Sequence, residues 1–312
     1  MPGKPVRIVL DTDIGGDIDD LYALYFALFD PRIELAAVTT AYGDTQLKAK
    51  LVAKALRKAG CMDIPIGAGI GTPQARVALG ELAPGSHTGK GYCTYVTEQD
   101  PEFSQEFPSA MQVMKQILRE SEGPVAIVCI GAASNVADAV LMPETDLRAK
   151  ISQTALMAGE TRRMYREYNV VCDPDACEVV LNCGIPSFLG TFDVTARLRL
   201  AMDDVRREFA DQSNPVHETL VTCSELWGPY RGHKQGPVLY DLVPLLWLAN
   251  PDCIATCKST VHVELRGTYT RGMTVRTAED GPVTESVDID APARMAEIVG
   301  VLHSGAKSVA AG

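Results

Sequence analysis

Apolar positions along this chain follow two spacings, short continuous runs and longer stretches with helical periodicity. Residues 125–130 are a continuous apolar run and residues 6–10 are apolar except for Arg7, a pattern typical of strands buried on both faces of a sheet. Between such runs, apolar residues recur every three or four positions, as at 18–29 and 45–59, which indicates helices with one buried face. The alternation predicts an open α/β fold with a mainly parallel sheet flanked by helices.

The same two spacings continue to the end of the chain. Further strands are predicted at 33–40, 64–67, 153–158 and 187–192, a β-rich region at 253–277, and further helices at 108–121, from 134, from 173, at 203–209, 216–226 and 291–302. Two long connections, 69–100 and 159–172, interrupt the pattern, and connections of this length are usually functional or mobile. Because no repeat or linker divides the pattern, we expect residues 1–312 to form one domain.

Five aspartates fall within ten residues directly after the first predicted strand: Asp11, Asp13, Asp17, Asp19 and Asp20. Gly15 and Gly16 predict a turn there, which places the acids where a strand gives way to a helix, at the edge where open α/β sheets bind ligands. Carboxylates this close raise one another's pKa unless a cation joins them. Oxygen ligands without sulfur suit Ca²⁺ or Mg²⁺. We interpret the cluster as a metal site; the alternative is a solvated acidic loop.

Composition narrows the possible partners and the compartment. The formal net charge of −11 argues against unaided binding to nucleic acid or to an anionic membrane, and fits a neutral or cationic ligand. The nine cysteines are odd in number and include no C-x-x-C pair, so we expect reduced thiols in a cytoplasmic protein. We also expect no signal peptide and no membrane span, because no apolar run is long enough.

The acidic segment carries a resemblance to a known family. Asp11-Thr-Asp13-Ile-Gly-Gly-Asp17-Ile-Asp19-Asp20-Leu-Tyr-Ala-Leu resembles the N-terminal signature of the inosine-uridine-preferring nucleoside hydrolases, D-T-D-P-G-x-D-D-x-x-A-L. Here Ile14 stands in place of proline, and two additional residues precede the last acid pair, so Asp17 has no assigned role. The resemblance implies a nucleoside hydrolase-like fold with a Rossmann-like core.

The resemblance also implies a set of metal ligands. Family members hold a Ca²⁺ that binds the ribose 2′- and 3′-hydroxyls, and the matching groups here are Asp13, Asp20, the backbone carbonyl of Ile130, and Asp241. Ile130 replaces a threonine of the family, but only its carbonyl oxygen is needed. On local sequence alone, Asp241 could equally cap the apolar helix that follows it.

The same resemblance implies roles in catalysis and in ribose binding. Asp13 would take a proton from the water that attacks C1′ as the glycosidic bond breaks through an oxocarbenium-like transition state. Asp19 would accept a hydrogen bond from a ribose hydroxyl. Glu167 and Asn169, in Arg-Glu-Tyr-Asn, match the family motif that binds the 3′- and 5′-hydroxyls.

Departures from the family pattern concern the remaining substrate contacts. Asp44 stands where members often have asparagine, and Glu160 and Thr161 occupy the region of another ribose-binding asparagine. Tyr240 replaces the histidine that is implicated in protonating the leaving base. Tyr240 and His87 are therefore the candidates for that acid, and His233 is a weaker candidate for contacting the base.

These observations predict an enzyme, a calcium-dependent N-glycosyl hydrolase that releases ribose and a free base from ribonucleosides. Two alternatives are a magnesium phosphohydrolase of the haloacid-dehalogenase type and a non-catalytic, calcium-dependent nucleoside-binding protein of the same fold. The first requires threonine or valine at the fifth position of D-x-D-x-T/V, where this chain has Gly15. We also expect a homo-oligomer, either a dimer or a tetramer.

Overall fold

The computed structural model of the chain describes residues 4–81, 91–231 and 235–311, and its centre is an eight-stranded sheet. The strands are β1 (Val6–Thr12), β2 (Ile33–Thr40), β3 (Ile66–Ala68), β4 (Val125–Cys129), β5 (Ile151–Met157), β6 (Ser187–Gly190), β7 (Ile254–Val263) and β8 (Thr274–Ile289). Their spatial order is β3-β2-β1-β4-β5-β6-β8-β7. Every neighbouring pair is parallel except β7 and β8, which confirms the predicted mainly parallel α/β sheet.

Helices connect the strands and cover the sheet. They are α1 (Asp19–Phe29), α2 (Thr45–Lys58), α3 (Gln74–Ala78), α4 (Ala110–Glu120), α5 (Ser134–Val140), α6 (Thr145–Arg148), α7 (Tyr168–Cys172), α8 (Pro174–Asn182), α9 (Phe192–Thr195), α10 (Met202–Glu208), α11 (Pro215–Arg231), α12 (Leu242–Ala249) and α13 (Ala291–Ala311). Short 3₁₀ helices span Gly91–Tyr95 and Pro251–Cys253. Within the described part of the chain, no helix is both long and apolar enough to cross a membrane.

Two hydrophobic cores lie on opposite faces of the sheet. Successive side chains of a strand point to opposite faces, so Ile8 and Leu10 of β1 enter one core and Val9 enters the other. The first core packs against α1, α2, α11, α12 and α13, and the second packs against α4, α5 and α8. Strands buried on both faces explain the continuous apolar runs of the sequence.

The connections of the chain diverge at β1. From β1 the chain continues outward through β2 and β3, then returns to place β4 on the other side of β1, with Asp11 opposite Cys129. Ligands of open α/β sheets bind in the crevice that forms at such a reversal, beyond the carboxyl ends of the strands. Asp13 and Ile130 follow directly after β1 and β4, so both lie at this crevice.

The structure differs from the predicted elements mainly in the connections. The long connections predicted at 69–100 and 159–172 contain α3 and α7, and the strand predicted at 187–192 ends at Gly190 because α9 begins at Phe192. The β-rich region predicted at 253–277 is the first part of a hairpin whose second strand, β8, continues to Ile289. Alternating exposed and buried positions with many polar residues made β8 hard to delimit.

Candidate active site

A cavity of about 290 Å³ opens beyond the carboxyl ends of β1, β4 and β5. The described residues that line it are mainly acidic and aromatic: Asp13, Asp17, Asp19, Asp20, Ile130, Met157, Tyr165, Glu167, Tyr168, Asn169, Phe192, Tyr240 and Asp241. Six of these thirteen carry a carboxylate and none is lysine, arginine or histidine. The acids of the N-terminal signature therefore meet residues from the distant parts of the chain in one cavity.

Three carboxylates form the compact centre of this cavity. Asp19, Asp20 and Asp241 each place one oxygen within 4.8 Å of the others. All three are buried, with exposed fractions of 2%, 1% and 4%. Asp19 and Asp20 begin α1, and the main-chain N–H of Asp241 donates to a carboxylate oxygen of Asp19 at 3.3 Å. The cluster therefore joins α1 to the residue that precedes α12.

Local sequence left open whether Asp241 caps the helix that follows it. In the structure Asp241 occupies the N-cap position of α12, but its side chain makes no capping hydrogen bond. Its carboxylate instead belongs to the acidic cluster. Asp173 offers a contrast, since it accepts a hydrogen bond from the N–H of Ala176 at 3.1 Å and caps α8 as predicted.

Burial raises the pKa of Asp19, Asp20 and Asp241 well above its ordinary value, and repulsion between neighbouring carboxylates raises it further. Neutral donors offset this only in part, such as the hydroxyl of Thr12, which donates to Asp20. Lys48 donates to the main-chain carbonyl of Asp13 and lies near enough to Asp20 to lower its pKa slightly. Three buried hard oxygens with so little compensation fit a divalent cation such as Ca²⁺ or Mg²⁺.

The four predicted metal ligands are only partly represented in the compact cluster. Asp20 and Asp241 belong to it, while its third member is Asp19, to which the sequence had assigned a ribose contact. Asp13 and Ile130 line the same cavity, and the charge of Asp13 raises the pKa of Asp20. The carbonyl of Ile130 accepts the Nδ2 amide of Asn169 at 3.2 Å, which leaves one lone pair free. Asp13 and Ile130 stay predicted ligands.

Asp11 belongs to a hydrogen-bond network that the sequence did not predict. Its Oδ1 accepts the hydroxyl of Thr39 at 2.6 Å and the amide of Asn135 at 2.8 Å, which ties β1 to β2 and α5. Asn135 also accepts the N–H of Ile70 at 2.9 Å. Burial raises the pKa of Asp11 to about 7. The only sequence signal for Asn135 was its place in the Ile-Gly-Ala-Ala-Ser-Asn segment that follows β4.

Glu167 and Asn169 lie at the start of α7, in the connection that follows β5. Glu167 is buried and accepts three main-chain N–H groups, from Gly159 at 3.1 Å, Asn169 at 2.9 Å and Val170 at 3.1 Å. A carboxylate has about four acceptor sites, so one stays available to a ligand. The Nδ2 amide of Asn169 also donates to the carbonyl of Met157 at 3.0 Å. Both residues line the cavity, and their ribose contacts stay a prediction.

An aromatic stack also lines the cavity, and sequence patterns do not predict it. We use this name for Tyr165, Phe192 and Tyr240, whose rings pack in series. The centroids of Tyr165 and Phe192 are 4.6 Å apart at 28°, and those of Phe192 and Tyr240 are 5.6 Å apart at 18°. Burial raises the pKa of Tyr240 to about 12, helped by the nearby carboxylates of Asp19 and Asp17.

Among the other predicted substrate contacts, the one that the structure describes does not line the cavity. Asp44 is exposed, accepts the N–H of Leu47 at 3.0 Å and caps α2, and it is not among the described residues that line the cavity. His87 and His233 lie outside the described residues. Glu160 is fully buried and accepts the Nε–H of Arg163 at 2.9 Å, while the hydroxyl of Thr161 donates to Glu285 at 2.6 Å.

Comparison with known proteins places this site in context. The family model described as "Inosine-uridine preferring nucleoside hydrolase" matches residues 8–299. A protein named pyrimidine-specific ribonucleoside hydrolase RihA, from Salmonella paratyphi B, is 31% identical over 299 residues, which cover 91% of this chain and 94% of the relative.

Solved structures show the same fold at lower sequence identity. One described as "Inosine-Guanosine Nucleoside Hydrolase (IG-NH)" superposes with a TM-score of 0.80 at 20% identity, covering 95% of this chain and 98% of its own. A purine-preferring ribonucleoside hydrolase from Gardnerella vaginalis has a TM-score of 0.79 at 19% identity, covering 96% and 99%.

The packing of Gly131 against Asp13 predicts the effect of one added methyl group. A Cβ at Gly131 would lie 2.8 Å from the Cβ and 2.9 Å from the main-chain nitrogen of Asp13. Gly131→Ala must therefore displace Asp13, and we expect it to weaken Ca²⁺ binding by about tenfold or more, as displaced supporting groups do. Calorimetric titration of the metal-free protein with CaCl₂ measures this.

Gly123→Ala is the matched control for this substitution. A Cβ at Gly123 meets no atom within 4 Å, so this variant should bind Ca²⁺ as the unmodified chain does. Equal affinities for both alanine variants would show that the position of Asp13 does not matter for metal binding.

Proposed function

The chain belongs to the inosine-uridine preferring nucleoside hydrolase family, and on that basis we propose that it hydrolyses ribonucleosides in a calcium-dependent reaction. Members of the family are enzymes that cleave the N-glycosidic bond, and this chain is such an enzyme. The observation that carries the calcium dependence is the buried cluster of Asp19, Asp20 and Asp241 at the crevice of the sheet.

We assign metal binding and proton transfer to residues that line the cavity. Asp20, Asp241, Asp13 and the carbonyl of Ile130 would hold the cation, with Asp19 close enough to join them. A divalent cation bound there supplies orientation for the ribose hydroxyls and lowers the pKa of a bound water. Asp13 takes the proton of the attacking water as the bond between C1′ and the base breaks.

The ribose and the base would contact different residues. The ribose hydroxyls would form hydrogen bonds with Glu167, Asn169 and Asp19, and the two carboxylates would act as acceptors. These contacts would fix C1′ near Asp13. The aromatic stack and Tyr168, which line the same cavity, would face the base. Asp44, His87 and His233 remain proposed substrate contacts on sequence grounds, and a cytoplasmic homo-oligomer remains the proposed state of the protein.

The experiment that tests the function is ribose release from a panel of nucleosides. Uridine and cytidine belong in the panel because the curated relatives are named pyrimidine-specific, and inosine and guanosine because the structural neighbours are named for purines. Neither the phosphohydrolase nor the non-catalytic alternative is favoured by the family match. Binding of nucleosides without any ribose release would support the alternative of a non-catalytic nucleoside-binding protein.

Metal ligation predicts opposite effects of one substitution on the metal-free and the calcium-loaded protein. Asp241→Asn removes one of three mutually repelling buried carboxylates, so the metal-free variant should be no less stable than the unmodified chain. Ca²⁺ at a hundred times its dissociation constant stabilises a protein by about 2.7 kcal/mol, and the variant should lose most of this gain. Thermal unfolding with CaCl₂ and with chelator measures both effects.

Asp63→Asn, at an exposed position away from the cavity, controls for the loss of one charge. It should keep the full stabilisation by Ca²⁺. An unchanged calcium response in Asp241→Asn, or full activity after exhaustive chelation, would contradict the proposed ligation.

Ribose recognition by polar side chains predicts strong discrimination against 2′-deoxynucleosides. When a hydroxyl is missing, the buried groups built to bind it are left unpaired, which costs much more than the lost contact. We expect kcat/KM for 2′-deoxyuridine to be lower than for uridine by more than about a hundredfold. Initial rates of base release measure this, and comparable values for the two would refute the ribose assignments.

The leaving base provides a test of His87 and Tyr240. If His87 protonates the base, His87→Ala should lower kcat/KM clearly for uridine and inosine but much less for p-nitrophenyl riboside, whose leaving group departs without a proton. Tyr240→Phe should have a milder effect on both kinds of substrate, because an ordinary tyrosine is a weak acid at neutral pH. Parallel assays of the two variants on the three substrates measure this.

Two results would change the assignment of the acid. Equal losses on both kinds of substrate in His87→Ala would make His87 a binding residue. A large loss in Tyr240→Phe that is confined to natural nucleosides would assign the acid role to Tyr240.

A further inference from the structure

One carboxylate of the cavity has no part in the proposed function. Metal and ribose account for Asp13, Asp19, Asp20, Asp241 and Glu167, whereas Asp17 belongs to the two-residue extension of the signature and has no assigned role. Asp17 lines the cavity, and its Oδ1 accepts the N–H of Ile18 at 2.8 Å. Its charge raises the pKa of both Asp241 and Tyr240. Asp17 therefore lines the same cavity as the metal cluster and the aromatic stack.

The aromatic stack already binds one cation in the structure. The guanidinium carbon of Arg163 lies 5.8 Å from the ring centroid of Tyr165 and 5.4 Å from that of Phe192, within the range of a cation–π interaction. Arg163 does not line the cavity, and its charge is balanced by the buried Glu160. The rings are thus suited to a positive charge, and the neighbouring guanidinium is neutralised by its own partner.

Counted over the described residues alone, the lining of the cavity is negatively charged. Among the described residues, the positive charge of Arg199 lowers the pKa of Tyr240, but Arg199 is exposed and its effect is smaller than that of Asp17 or Asp19. No lysine, arginine or histidine occurs among the described residues of the lining. A carboxylate beside aromatic rings is the arrangement that recognises flat cationic ligands.

We propose that Asp17 and the aromatic stack make this enzyme selective for ribosides whose base is positively charged while it is attached to ribose. N-ribosyl pyridinium compounds and purine ribosides methylated at N7 are of this class. The inference rests on the proposed function and deepens it, because it concerns the base side of the same cavity.

The chemistry of such substrates fits the composition of the lining. As the bond from C1′ to the ring nitrogen breaks, its electron pair neutralises the cationic ring, which leaves as an uncharged base. Water supplies the hydroxyl group at C1′, and its second proton passes through Asp13 to solvent. The base itself needs no proton, so the reaction runs without an acid on the base side.

The test compares a cationic and a neutral substrate in matched variants. Cationic ribosides are intrinsically more labile, so the informative quantity is how a variant changes the ratio of kcat/KM for N-ribosyl nicotinamide to that for uridine. Asp17→Asn should lower this ratio by about tenfold, since it removes a nearby charge that only the cationic base needs. Asp63→Asn makes the same chemical change at an exposed position and should leave the ratio unchanged.

The aromatic contribution is tested separately. Tyr165→Leu keeps an apolar side chain at a position that is 39% exposed, so the fold should tolerate it. This variant should lower the same ratio by about threefold to tenfold, the range of an exposed to partly desolvated cation–π contact. The pair 7-methylguanosine and guanosine should give the same ranking of variants, because it varies the charge on one purine.

Equal loss on the cationic and neutral substrates in Asp17→Asn would overturn the inference, since Asp17 would then act through the metal or the ribose. An unchanged ratio in both variants would overturn it as well. Dissociation constants of N-ribosyl nicotinamide and uridine, measured by calorimetry, separate this inference from the proposed function. A charge preference that depends on Asp17 but comes without hydrolysis of any riboside would support the inference and refute the proposed function.

Discussion

The structure depends on holding three carboxylates together in a place from which water is largely excluded. Asp19, Asp20 and Asp241 are almost fully buried and within 4.8 Å of one another, and the groups that touch them include neutral donors such as the hydroxyl of Thr12 and the main-chain N–H of Asp241. An uncompensated buried charge costs several kcal/mol even after relaxation. The scaffold must therefore be rigid enough to keep the acids in place, and a bound divalent cation would balance their charge when they are ionised.

The sheet supplies that rigidity by joining distant segments at its crevice. Asp19 and Asp241 are 222 positions apart, yet they meet because α1 and α12 pack into the same core. Asp11 and Asn135 are 124 positions apart, and their hydrogen bond fastens the end of β1 to α5. The acidic segment lies between these two attachments, so the metal site is supported from both faces of the sheet.

The sequence predicts features that depend on neighbouring residues of the chain, and it does not predict contacts between distant segments. Strands buried on both faces and the helices between them have local periodicity, so the parallel α/β sheet was predictable, as was the cap at Asp173. The membership of Asp241 in the cluster came from the family resemblance, because its local sequence fits a helix cap equally well. Asn135 and the aromatic stack arise from contacts between segments far apart in the chain, for which periodicity offers no signal.

The segment next to the aromatic stack is held by a hydrogen-bond network separate from the one that holds the acidic cluster. Residues 160–163 are fastened to β8 and α9, since Thr161 donates to Glu285, which also pairs with Arg276, and Arg162 pairs with Asp193. Within this segment Glu160 forms an ion pair with Arg163, at a position where the family resemblance suggested a ribose-binding asparagine. Because one network supports the acids and another supports the segment next to the rings, substitutions beside the rings can leave the acidic cluster intact. Tyr240 lies where the two networks meet, because it stacks on Phe192 and directly precedes Asp241 in the chain.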